Sequence, residues 1–175
     1  MTLKIRTAVD GEETAVLSFY ERLIDKMKGS PYPLRWEKSV YPTYADITDA
    51  IRGKTMHIAE DDSGIIGAFI VNHTQGEGYN RVNWLWRGDE MRVAVLHLLA
   101  VEPAVQRQGV GKALLNCAIE RCRANGSRAL RLDTLPWNLP GRKLYEGFGF
   151  QYRGEVELTY PSTGLIAFCM YELIL

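Results

Sequence analysis

Apolar and polar positions along the chain change period several times, and each change marks an element. Leu3, Ile5, Thr7 and Val9 recur at every second position, the signature of a half-buried strand. Asp10 and Glu13 have capping-box spacing. Val16, Phe19, Tyr20, Leu23, Ile24 and Met27 then follow at helical spacing, which predicts a first helix stopped by Gly29. The next stretch, with Pro31, Pro33, Trp36, Tyr41 and Pro42, has no period. Thr43 with Asp46 predicts a second cap, opening a short helix that ends at Gly53. Thr55–Glu60 and Ile65–Asn72 read as hairpin strands, because Asp61-Asp62-Ser63-Gly64 between them has turn chemistry. Gln75-Gly76-Glu77-Gly78 forms a loop, followed by an apolar run with Trp84 and Trp86, and then by the almost wholly apolar Val93–Val101. Helical period returns from about Gly109 to Asn125, with Gly126 as its stop. A buried strand at Ala129–Leu135, a helix over Gly141–Gly147 and strands at Phe150–Leu158 and Leu165–Leu173 complete the chain. Strands lead early and alternate with helices late, so an α/β (α+β) fold with a sheet of mixed direction is expected. No repeat or linker divides it, and one domain over residues 1–175 is expected.

Composition changes this picture little. Apolar residues make up 46% and charged residues 24%, which is ordinary for a soluble domain able to bury a core. The formal net charge is +0, so no global field draws the protein to nucleic acid. No apolar run approaches the ~18 residues of a membrane span, and the opening residues alternate rather than forming a signal peptide. A cytoplasmic location, with no membrane partner, is the expectation. Cys117, Cys122 and Cys169 are odd in number and lack metal-ligand spacing, so they read as small buried hydrophobes and no metal is expected.

The candidate chemistry starts where the apolar strand ends. After Val101 and Pro103 comes Gln106-Arg107-Gln108-Gly109-Val110-Gly111, leading into an amphipathic helix. Glycines at a helix start let backbone N–H groups close on an anion, and the helix end adds roughly half a positive charge. Arg107 and Lys112 would neutralise further phosphate charge. A Walker A loop is excluded, since Gln106 stands at its first glycine and Ala113 follows Lys112. A dinucleotide fingerprint is excluded by Leu114 at its third glycine and by the longer link from the strand. A glycine-rich helix start without a ligand remains open on these residues alone.

The wider order resembles the GNAT acetyltransferase superfamily. A strand is followed by Gln106-x-x-Gly109-x-Gly111 and a helix, then a second strand at Leu130–Leu135. Asn138 and the aromatic-rich Leu144-Tyr145-Glu146-x-Phe148-Gly149-Phe150 come next. The resemblance is strongest over residues 95–152. It implies a mixed, mostly antiparallel sheet of about seven strands with flanking helices, strands four and five splaying into a V. It also implies acetyl-CoA as co-substrate. Leu99, Ala100 and Val101 would lie along the pantetheine. Gln106, Arg107, Gln108, Gly109, Val110, Gly111 and Lys112 would cradle the pyrophosphate, and Asn138 and Tyr145 would meet the pantetheine arm. Arg142 and Lys143 stand where the outer phosphate is expected, although exposed helix charges are usually just solvated. Two positions depart from the pattern: Gln106 is often Arg, and Gly141 replaces a frequent Ala. Homodimers are common among the proteins it resembles.

Transfer from a thioester to an amine needs a neutral nucleophile and a protonated leaving group. An amine of pKa ~10.4 is neutral in only about one molecule in two thousand at pH 7, a cost of roughly 4.6 kcal/mol. His97, reference pKa about 6.5, is the candidate base, placed by alternation on the face of Leu99 and Val101; it reads equally as a core histidine. Glu102 and Glu90 are fallbacks through water. The resemblance makes Tyr145 the acid, against a packing role beside Phe148, and the Leu99 amide the donor to a tetrahedral oxyanion. Trp36, Tyr41 and Pro42 resemble a wall over the acceptor. Trp84 and Trp86 offer faces to a cationic amine or else cover the core. Asp46, Asp49 and Glu37 would give an acidic rim or a solvated helix face. The expected function is N-acetyl transfer to a primary amine of a small molecule or peptide, by direct attack; the alternative is a non-catalytic acyl-CoA sensor.

Overall fold

The computed structural model describes residues 3–175; Met1 and Thr2, part of the opening alternation and of the expected domain, lie outside the described residues. The elements follow the predicted order: β1 (Lys4–Thr7), α1 (Glu13–Lys26), α2 (Tyr44–Arg52), β2 (Met56–Asp61), β3 (Gly64–Asn72), β4 (Val93–Val101), α3 (Val110–Ala124), β5 (Ala129–Thr134), α4 (Leu139–Gly147), β6 (Gln151–Tyr160) and β7 (Gly164–Ile174). They form a seven-stranded sheet in the order β1-β2-β3-β4-β5-β7-β6. Pairing is antiparallel for β1 with β2, β2 with β3, β5 with β7 and β6 with β7. The pair β4 and β5 is parallel, because α3 carries the chain back between them. The register of that pair runs over Val93–Val95 against Ala129–Arg131, whereas β5 continues to pair with β7 as far as Thr134. The expected mixed, mostly antiparallel sheet is observed. Among the described residues, no helix is long and apolar enough to cross a membrane.

The chain forms two compact units. The first runs to Ile70 and resumes over Leu98–Cys117. Its core joins Val16, Phe19, Tyr20 and Leu23 of α1 to Ile47 of α2, Ile58 of β2 and Leu98 and Ala100 of β4. The two local caps of this unit fare differently. Thr43 and Asp46 form the expected box: Thr43 Oγ1 accepts from the Asp46 amide at 3.1 Å, and Asp46 accepts from the Thr43 amide at 2.7 Å. The Asp10–Glu13 box does not form. The helix starts at Glu13, and Arg6 draws Glu12 into a carboxylate–guanidinium–carboxylate bridge with Glu60, at 2.7 and 2.8 Å. Gly67 of β3 is needed for packing, since a Cβ there would sit 2.7 Å from Leu114 Cδ1 and 3.2 Å from the Ala100 carbonyl.

The second unit comprises Val71–His97 and Ala118–Leu175. Its apolar cluster includes Tyr79, Val82 and Trp84 from the segment before β4, with Val95, Leu158, Phe168 and Met170 from strands. The Trp84–Trp86 run is not a strand; it lies between short 3-10 turns at Tyr79–Arg81 and Glu90–Arg92.

Candidate active site

In the first unit the glycine segment is an exposed turn followed by α3. Gln106 Nε2 donates to the Val101 carbonyl at 3.2 Å and Gln108 Nε2 to that of Ala104 at 3.3 Å. Both side chains therefore brace the turn, and the Gln106 amide is itself held by the Pro103 carbonyl at 3.3 Å. Arg107 (φ 64) and Gly109 (φ 90) are left-handed. Such residues turn successive N–H groups toward one concavity. A Cβ on Gly109 would meet nothing within 4 Å, so its φ, not crowding, calls for glycine. The Ala113 amide bonds back to Gly109 O at 3.0 Å. The amides of Val110, Gly111 and Lys112 precede that first helical bond and point out of the positive end of α3. With the exposed side chains of Arg107 and Lys112, these are the donors a diphosphate requires.

Upstream, β4 is irregular. Leu98 has φ 52, a left-handed residue inside a strand, and its carbonyl accepts the Tyr20 hydroxyl at 2.8 Å. The regular alternation expected to carry one face from His97 to Leu99 and Val101 is interrupted at that point. Leu99 and Val101 are half-buried, with Leu98 and Ala100 buried. Glu102, a fallback base on sequence grounds, is buried and ion-paired to Lys26 at 2.8 Å. Trp36 and Tyr41 pack half-buried on the core of this unit, Trp36 edge-on to Tyr20 at 5.7 Å.

The second unit gathers the titratable groups. His97 Nε2 lies 3.0 Å from Asn72 Oδ1; burial holds its pKa below the usual imidazole value, opposed by the charge of Asp133 and by the Thr74 backbone. Asp133 was not singled out by the sequence. Burial pushes its carboxyl above the usual range, while hydrogen bonds from the hydroxyls of Tyr79 (2.8 Å) and Tyr160 (2.9 Å) pull it back. Two charged residues in the largely buried Ala129–Thr134 strand, Arg131 and Asp133, were the available signal. Tyr145 is buried on α4, and burial first, then the charges of Asp133 and Tyr171, push its phenol well above the ordinary value. Its ring neighbours include Phe150 at 5.9 Å and Tyr171 at 6.2 Å.

Other sequence candidates have internal duties. Asn138 is the N-cap of α4: its Oδ1 accepts from the Gly141 amide at 3.1 Å and its Nδ2 donates to Thr134 Oγ1 at 2.9 Å. A Cβ on Gly141 would lie 2.4 Å from Asn138 Nδ2, so the glycine permits this cap. Arg142 donates to the Tyr171 hydroxyl and to the Pro136 carbonyl, both at 3.0 Å, whereas Lys143 is exposed. Trp84 is buried, its indole N–H on the Tyr79 carbonyl at 2.8 Å and the Arg131 guanidinium 4.5 Å above its ring. The cation on that ring is thus the protein's own. Glu90 accepts from Arg131 at 2.7 Å and from Gln75 at 2.8 Å, which occupies the other fallback base. Among the described residues, no group of three or more His, Cys, Asp and Glu is placed to hold a metal.

Residues 19–150 match the Acetyltransferase (GNAT) family. Over 70 residues the chain is 37% identical to ribosomal protein bS18-alanine N-acetyltransferase of Escherichia coli (strain K12), covering 40% of this chain and 47% of that protein. The chain spans about half the length of the curated relatives it matches. A GNAT family acetyltransferase structure from Streptococcus agalactiae superimposes with a TM-score of 0.78 at 21% identity, covering 99% of this chain and 95% of that one. A Salmonella typhimurium structure with its cofactor acetyl-CoA gives a TM-score of 0.71 at 14% identity, with 99% and 94% covered.

Proposed function

The chain belongs to the GNAT acetyltransferase family, and we propose that it transfers an acetyl group from acetyl-CoA to the primary amine of a small molecule or peptide. The acetyl-CoA held by the Salmonella structure supports the co-substrate, and the alanine N-acetyltransferase activity of the E. coli relative supports an amine acceptor. Acetyl-CoA supplies the acetyl group already activated as a thioester. In the first unit, the amides of Arg107–Lys112, in the turn that Gln106 braces, and the charges of Arg107 and Lys112 are assigned to its diphosphate, and the backbone of Leu99–Val101 to its pantetheine arm. The Leu99 amide is assigned to the oxyanion formed by direct attack.

The observation that carries the reading is the proton-handling group of the second unit. It combines a carboxyl shifted up, an imidazole shifted down and a phenol held protonated. Asp133 and His97 act as the proton-accepting pair. Burial makes Asp133 a stronger base than a solvated carboxylate, and the lowered pKa of His97 keeps its ring neutral near pH 7. The rise at Asp133 reduces the cost of taking the amine's proton, whereas the fall at His97 keeps that ring free to accept a proton but makes it the weaker base of the pair. Tyr145 gives its proton to the leaving thiolate; its raised pKa keeps that proton available but widens the gap of about 2 kcal/mol between an ordinary phenol and a thiol.

The experiment is steady-state thiol release from acetyl-CoA with a panel of amines, for the wild type and Tyr145→Phe, alongside calorimetric acetyl-CoA binding. Turnover that falls in Tyr145→Phe with affinity kept is expected. Tight binding without turnover on any amine would make the protein an acyl-CoA sensor. Thermal stabilisation by ATP in place of acetyl-CoA would overturn the assignment of the glycine segment.

A further inference from the structure

We propose that residues 73–92, which join β3 to β4, are a positioning element: Arg131 clamps the segment, and the segment delivers the Tyr79 hydroxyl to Asp133. The inference rests on the reading of Asp133 as part of the proton-handling group.

The segment runs for 20 residues between Asn72 and Val93 with only two 3-10 turns. Connections longer than ~12–15 residues without regular structure are uncommon in compact domains and are often functional. Besides the bonds of Arg81 and Arg153 to and from β6, this one is gathered on a buried pair, Arg131 and Glu172. Arg131 is 1% exposed, and its Nη1 donates to Gln75 Oε1 and Glu90 Oε2, each at 2.7 Å. Its Nη2 reaches the Trp86 carbonyl at 3.4 Å, and its face lies on Trp84. Nε donates to Glu172 at 2.9 Å, and the second Glu172 oxygen accepts from the Leu85 and Trp86 amides. The beginning, middle and end of the segment thus converge on one ion pair. Buried ion pairs contribute little net stability over apolar packing of the same volume, so the role assigned to this one is to hold the segment in one geometry.

The fixed geometry leads to Asp133. Trp84 sits under Arg131, donates its indole N–H to the Tyr79 carbonyl and packs on the Tyr79 ring at 5.5 Å. Tyr79 then reaches Asp133 with its hydroxyl at 2.8 Å. Arg131 and Asp133 are two apart on β5, so clamp and target share a face of one strand. The groups facing Asp133 are Tyr79 from the segment, Tyr160 from β6, His97 from β4 and Tyr145 from α4; β7 sets Met170 opposite it. A phenol hydrogen bond favours the ionised carboxylate, so losing that of Tyr79 raises the carboxyl's proton affinity.

The test titrates the Asp133 carboxyl by carbon-13 NMR in the intact protein without substrate, and follows hydrogen exchange over residues 73–92. Tyr79→Phe is expected to tighten proton binding at Asp133 about tenfold, the worth of one hydrogen bond to a charged group. The double variant Gln75→Ala/Glu90→Ala leaves Arg131 paired with Glu172, so it strands no buried charge. It is expected to speed exchange across the segment and shift Asp133 in the same direction. On a Tyr79→Phe background it should add nothing to that shift, whereas on Tyr160→Phe it should add fully. An Asp133 titration unmoved by the double variant, or moved equally on both backgrounds, would overturn the inference. If the shifts appear while the acid limb of thiol release ignores Asp133, the positioning element stands and the proton-handling reading fails.

Discussion

Gly67→Ala tests how β3 sets the position of α3. The added Cβ would lie 2.7 Å from Leu114 Cδ1, 3.2 Å from the Ala100 carbonyl and 3.6 Å from Ala59 Cβ. Leu114 is fully buried, so its side chain has little room to swing away. Overpacking of this kind costs about 1–3 kcal/mol. Alanine in a strand recovers roughly 0.5–1 kcal/mol of backbone entropy relative to glycine. The net loss is therefore about 1–2 kcal/mol, or roughly 2–8 °C in Tm for a chain of this size. The same displacement moves the first turn of α3, so acetyl-CoA affinity should fall as well. Differential scanning calorimetry and isothermal titration of acetyl-CoA measure the two effects. Adding Leu114→Val, which removes the offending methyl, should make the pair less destabilised than the sum of the singles by about 1 kcal/mol. A Gly67→Ala protein with wild-type Tm and affinity, or strictly additive variants, would refute the packing argument.

Three further predictions concern the cap and the charged groups. Asp133→Asn keeps an acceptor for Tyr79 and Tyr160 but cannot take a proton, so kcat should fall about 10²–10⁴-fold. Because burial raises the folded-state pKa of Asp133, the variant should be more stable than wild type above that pKa, and the gain should vanish as pH falls below the ordinary aspartate value. Denaturant unfolding across pH checks this, and a pH-independent difference counts against it. Asn138→Ala removes the α4 cap and the Thr134 bond, a loss of about 1–3 kcal/mol. Asn138→Asp should recover most of it, and equal damage by both would discount the cap. Arg6 holds Glu12 and Glu60 below the usual carboxyl range, so their stabilisation is complete above ordinary glutamate pKa values and is lost as pH falls through the depressed ones. Arg6→Met should flatten the acid limb of stability, and an unchanged limb would assign it to other groups.

Local relations were legible in the sequence. Strand and helix periods gave element order because the burial they encode is a property of neighbours along the chain. The Thr43–Asp46 cap was legible for the same reason: both partners lie within one turn. The Asp10–Glu13 box failed because Glu12 is bound by Arg6, which also holds Glu60 from another strand. Trp84 read as an aromatic face, whereas Arg131, far along the chain, lies on it.

The sequence by itself determined the order of elements, the glycine turn before α3 and the run of motifs that marks the family, all carried by short-range spacing. Tertiary structure decided which charges lose their water and what they meet instead. Asp133 became a basic carboxyl, Glu102 and Glu90 were committed to Lys26 and Arg131, and Asn138 became a cap once Gly141 left room for it. Desolvation and pairing depend on distances between remote segments, and chain spacing does not encode those distances.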